Sequence, residues 1–129
     1  MDFLKHFLTA GLIFVIIDSV WISVVADKFY KANIGYLLAK KANLVPAVIF
    51  YIIYIIAMVV FVINVGLERG TTGSVILHGA LLGFAMYATY DLTNHATIKN
   101  WPLKMTLVDM AWGTSVTTAV TTITFLIFK

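Results

Sequence analysis

Three aspartates stand inside segments that are otherwise apolar: Asp18 in IFVIIDSVWISVV, Asp91 in YATYDLTN and Asp109 in TLVDMAWGT. A carboxylate at the centre of a spanning helix costs about 2.5–3.5 kcal/mol, so it faces the interior of a bundle or a wet cavity. There it can exchange a proton or hold a cation. Asp18 is followed three residues on by Trp21, and Asp109 by Trp112. That spacing sets acid and indole on one helical face. Tyr87, Asp91 and Asn94, at i, i+4 and i+7, form a polar stripe with Tyr90 beside it, and Tyr54 sits near the middle of another apolar segment. These nine residues make up the candidate ligand- or proton-binding pocket.

The plainer alternative is that the carboxylates are polar glue between helices. Glue, however, is made at lower insertion cost by Ser, Thr or Asn, and three aspartates on three segments favour a pocket. The histidines do not join it. His6, His78 and His95 fall at different ends of their segments, and the chain has no cysteine. The expectation is therefore no metal, no disulfide and no cofactor.

The elements that must position these groups follow from composition. The 129 residues are 61% hydrophobic and 12% charged, with a mean hydropathy of +0.97. That leaves too little polar surface for a water-soluble domain of this size. Four stretches reach the roughly 20 apolar residues needed to span about 30 Å of hydrocarbon. They are residues 3–25, 44–66, 74–95 and 103–127, which predicts an all-α, polytopic membrane protein: one domain over residues 1–129, folded as a compact four-helix bundle. The first stretch is long and interrupted by Asp18, so it is read as a retained helix rather than a cleaved signal. No stretch alternates like a membrane β-strand.

Lys28, Lys31, Lys40, Lys41, Lys99 and Lys104 flank the connections after helices one and three, whereas the opposite side holds Lys5, Arg69 and Lys129. The excess of positive residues marks the cytoplasmic side, which puts both termini in the periplasm. On that orientation all three aspartates lie roughly 6–12 Å inside the cytoplasmic face, counted at about 1.5 Å per residue. The net charge of +3 is spread over short loops and does not indicate nucleic acid. In the connection 27–43, Phe29, Tyr30, Ile34, Tyr36, Leu37 and Leu38 are interleaved with lysines. It reads either as an ordinary loop or as an amphipathic segment lying among lipid headgroups. Trp101, Tyr30 and Tyr36 suit interfacial anchoring. Gly79 and Gly83 make a G-x-x-x-G face, and Asp109, Gly113, Thr117, Thr121 and Thr124 line the last helix; both allow close approach, within the bundle or in a homodimer.

The segments DSVWISVV, FYKANIG, FYIIY, GALLGFAMYATYDLTNHATIKNWP and VDMAWG, in that order, resemble a bacterial family of four-helix integral membrane proteins, domain of unknown function 2177. The resemblance spans the whole chain and rests chiefly on YATYDLTN, then WP, then D-x-x-W-G. It implies a bacterial inner-membrane location and the same four helices, and it supplies no reaction.

Three functional classes are consistent with these residues. One is binding or proton-linked transport of a small cationic or amphipathic molecule through a cytoplasm-facing acidic and aromatic pocket. Another is a membrane-embedded enzyme on lipid or isoprenoid substrates, for which no nucleophile elbow, histidine box or D-D-x-x-D cluster is present. The third is an accessory or receptor subunit with a hydrophobic ligand among its aromatics. The first is favoured. Membrane lipids, and a small-molecule or lipid ligand, are the expected partners.

Overall fold

The computed structural model describes residues 2–129. Four helices pass through one bundle: α1 (Asp2–Leu37), α2 (Leu44–Arg69), α3 (Thr72–Thr97) and α4 (Leu103–Phe128). Each is long and apolar enough to cross a membrane, and no strand occurs among the described residues.

The helices are apolar on the outside and more polar within. On α4, Leu103, Leu107, Ile123, Leu126 and Ile127 are exposed, while Thr106, Thr117, Thr121 and Thr124 are buried. In water that arrangement would waste the hydrophobic effect; in lipid an outward leucine costs nothing and small inward residues let helices close up. The buried hydroxyls are satisfied locally. Thr117, Thr121 and Thr124 donate to the carbonyls of Gly113, Thr117 and Val120 at 2.7, 2.8 and 2.7 Å.

α3 and α4 form the tightest pair. A Cβ on Gly83 would stand 2.5 Å from the Gly113 carbonyl oxygen and 2.6 Å from Thr117 Cβ, and one on Gly113 would overlap the Tyr87 ring. Gly79 faces Thr121 and Thr118 in the same way. The G-x-x-x-G face is thus consumed inside the bundle and is not free for a second copy. α1 and α2 lean on this pair through Ala10, Phe14, Tyr54, Ile55, Met58, Val59, Ile63, Val116 and Val120.

α1 extends twelve residues beyond the expected end at residue 25. The onset of Asp27 and Lys28 ends the apolar run without ending the helix, and Asp27 pairs with Lys31 one turn on at 3.2 Å. The connection to α2 shrinks to residues 38–43, closed by Asn43, whose side chain accepts from the Val45 N–H at 3.2 Å. Two wide turns interrupt the helices. In α1 it covers Ile22–Ala26, with the Asp27 N–H donating to the Ile22 carbonyl; in α2 it covers Val59–Ile63, with the Asn64 N–H donating to Val59. Such i→i+5 turns absorb one extra residue in an otherwise regular helix.

α2 and α3 are joined by Gly70 and Thr71, and Thr71 and Ser74 cap each other reciprocally. The α3–α4 turn places Asn100 at φ 63°, a left-handed conformation that asparagine tolerates. Trp101, expected as an interfacial anchor, is instead buried against Ile34 and Met105, and its indole donates to Thr106 at 3.0 Å. Thr106 in turn meets His95 Nδ1 at 3.0 Å.

Candidate functional site

Asp91 and Asp109, from facing positions on α3 and α4, are brought together. Asp91 is completely shielded and neither of its oxygens has a hydrogen-bond partner, while the Asp109 carboxyl stands close enough to act on it directly. A buried acid without a partner is rare in a folded chain and points to a proton or a ligand. Asp109 itself is satisfied from an unexpected direction: the Tyr30 hydroxyl donates to its Oδ1 at 2.5 Å.

Tyr30 reaches that position because of the wide turn in α1. Twelve residues separate it from Asp18. On a uniform helix, at about 100° per residue, the two would point roughly 120° apart. With one residue absorbed at Ile22–Ala26 the angle falls to about 20°, and Tyr30 continues the face of Asp18 and Trp21. No local sequence pattern announces such a turn in ISVVA, so the sequence offers Tyr30 as part of an interfacial segment and not as a partner of Asp109. Tyr36, the other supposed anchor, binds the Lys99 carbonyl at 2.9 Å. Together Tyr30, Ile34 and Tyr36 fasten the end of α1 over the α3–α4 turn.

Beside the carboxylate pair lies a cavity of about 330 Å³ lined by Phe50, Met86, Tyr87, Tyr90 and Asp109. Of the nine candidate residues, Tyr87, Tyr90 and Asp109 form its wall; Asp91 sits behind Asp109, and Asn94 lies beside Tyr90. Phe50 and Met86 are additions. Neither carries a polar atom that a search for chemistry would single out, and their signal is only placement.

Asp18 does not complete a three-carboxylate cluster. Its neighbours are Trp112, Tyr51, Tyr54 and Tyr87, and Tyr87 is the group that senses both Asp18 and Asp109. Equal depth along the bundle does not bring the three acids together: Asp18 lies toward Trp112, Tyr51 and Tyr54, while Asp91 pairs with Asp109. Tyr54 belongs to the core rather than to the cavity. It is fully buried, its hydroxyl shares a 2.5 Å hydrogen bond with Thr117, and its ring lies edge-on to Phe14 at 5.2 Å.

The two D-x-x-W motifs meet in space. Trp21 and Trp112 stack with centroids 4.2 Å apart and planes 5° from parallel, on a face lined by Ile16, Ile17, Val20, Val24 and Val25. The Trp21 indole N–H lies near the Tyr30 hydroxyl but completes no hydrogen bond. The stack braces α1 against α4 and does not line the cavity. At the opposite end of the bundle His6 Nδ1 meets Asn64 Oδ1 at 2.7 Å, remote from the acids.

Four span-capable helices, aliphatic outward and polar inward, with a carboxylate pair held between two of them, define a small polytopic membrane protein. The chain belongs to the family described as Predicted membrane protein (DUF2177), whose model matches residues 3–126. No curated protein and no solved structure matches it.

Proposed function

We propose that this protein binds a small cationic or amphipathic molecule at an acidic and aromatic pocket on the cytoplasmic side of the bacterial inner membrane, and that a proton leaves as the ligand arrives. The observation that carries this reading is Asp91: fully buried, unpartnered on both oxygens, and set against Asp109 in the wall of an aromatic-lined cavity. Two facing carboxylates repel and require either a shared proton or a cation to balance them. Asp109 accepts from Tyr30 through Oδ1, and one proton shared with Asp91 gives the pair a donor and an acceptor. A cation at Asp109 replaces that proton. The faces of Tyr87, Tyr90 and Phe50 add cation–π attraction of about 0.5–2 kcal/mol. Because the same end carries six of the nine basic residues, the positive-inside rule supports a cytoplasmic pocket and periplasmic termini.

The test is proton release from purified protein in weakly buffered liposomes on adding alkylammonium compounds. Wild type is expected to release about one proton per ligand bound, and the double variant Asp91→Asn, Asp109→Asn none. If no compound causes release while a modified lipid accumulates only with wild type, transport and binding give way to a membrane-embedded enzyme.

A further inference from the structure

The cavity reaches the outer surface of the bundle, where Phe50 and Tyr90 of its wall are exposed. α2 packs on α3 through Val59–Ile63 and Asn64–Arg69, whereas its first half, Leu44–Met58, packs on α1. The two helices meet at one end and part toward the other. The cavity fills the gap, between Phe50 of α2 and Met86, Tyr87 and Tyr90 of α3, with Asp109 of α4 at the back. Phe50 is 43% and Tyr90 51% exposed, and beside Phe50 the surface of α2 presents the exposed Ile49 and Ile53. A mouth with such a rim opens onto lipid tails. It lies six residues into both α2 and α4, roughly 9 Å from the helix ends and thus beneath the headgroups.

The route from water is obstructed twice. The end of α1 lies across it, with Tyr30 bonded to Asp109 and Ile34 packed on Trp101 and Met105. The same end of the bundle carries Lys28, Lys31, Lys40, Lys41, Lys99 and Lys104 against Asp27, which pairs with Lys31, and this net positive charge repels cations arriving from solution. Resting on the cation-binding reading above, we propose that the ligand is a lipid-phase amphiphile with an ammonium headgroup, which enters sideways from the leaflet between α2 and α3 and seats that headgroup at Asp109.

Three observations fit that chemistry. The acid at the back supplies charge complementarity, with the shielded and unpartnered Asp91 behind it. Tyrosine and phenylalanine faces favour an ammonium over a hydrated metal ion. About 330 Å³ is at the small end of the roughly 300–1,000 Å³ typical of ligand sites, room for a headgroup and its first carbons with the rest of the chain left in the bilayer.

The experiment measures binding of radiolabelled dodecylammonium to the full chain in phosphatidylcholine nanodiscs, with empty nanodiscs as the blank. Unlabelled dodecylammonium should displace the probe, while methylammonium, with the same headgroup and no chain, and dodecanol, with the chain and no charge, should each need at least about a hundredfold more. Displacement by methylammonium at the same concentration would overturn entry from the leaflet and leave a water-accessible cation site. Equal displacement by dodecanol would overturn the ammonium class. No binding above the blank would remove both this inference and the reading beneath it. Met86→Trp, which narrows the mouth without touching an acid, should lower dodecylammonium binding about tenfold at unchanged helix content. Undiminished binding in that folded variant would also count against lateral entry; the ligand series stands without it if the variant does not fold.

Discussion

Asp91 and Tyr54 are both fully buried polar residues, yet their environments imply opposite responses to substitution. Tyr54 spends its hydroxyl on Thr117, so Tyr54→Phe removes a satisfied bond and should cost about 0.6 kcal/mol, the average for interhelical hydrogen bonds in membranes, and at most about 1.7. Asp91 receives no donor from any other residue and faces only the Asp109 carboxyl, toward which an asparagine amide can donate as a protonated acid would. Asp91→Asn should therefore leave the stability unchanged or raise it, while ending proton release. Unfolding by denaturant in detergent checks both; a loss at Asp91 as large as at Tyr54 would assign the acid to packing. Identity at this scale was legible in sequence, because an acid within an apolar run is visible without coordinates. Which acids touch was not. Depth along a helix fixes one coordinate only, and the lateral position of a neighbour such as Tyr87 depends on Gly113 leaving space for its ring.

Among the elements, α1 departs furthest from expectation, and for two separate reasons. Its hydropathy falls at Asp27, although the Asp27–Lys31 spacing already favoured continued helix. Its wide turn has no signature in ISVVA, so the angular phase of everything after it was unreadable. A wide turn is equivalent to one inserted residue, which makes a deletion test unusually sharp. Removing Val24, which is exposed within that turn, should restore regular helix and keep Tyr30 on Asp109. Removing Ile16, also exposed, rotates Asp18 and Trp21 by about 100° relative to Phe14. That second variant should lose at least the about 0.5–1.5 kcal/mol of an aromatic pair, read as a lower melting temperature, while the first melts near wild type. The other helices were legible to within a few residues because their ends carry ordinary punctuation: Asn43, the Thr71–Ser74 box, and Pro102.

For the whole molecule, four apolar runs and short connections sufficed to give the bundle, since lipid leaves few other ways to satisfy the backbone. The handling of close approach was also foreshadowed by Gly79, Gly83 and Gly113, although only packing shows that they serve α3 and α4 rather than another copy. The proposed orientation makes a direct prediction: a reporter enzyme that requires the periplasm should be active when fused after Lys129, and a purely cytoplasmic signal would turn the pocket outward. The spacing of the tryptophans has an optical consequence. Trp21 and Trp112 lie face to face on α1 and α4, whereas Trp101 is buried elsewhere. Two indoles only 4.2 Å apart and nearly parallel perturb each other's absorption and emission, while the third stands alone edge-on to Tyr90. The native chain is its own spectroscopic gauge of whether α1 is seated on α4, readable by light without attaching a dye.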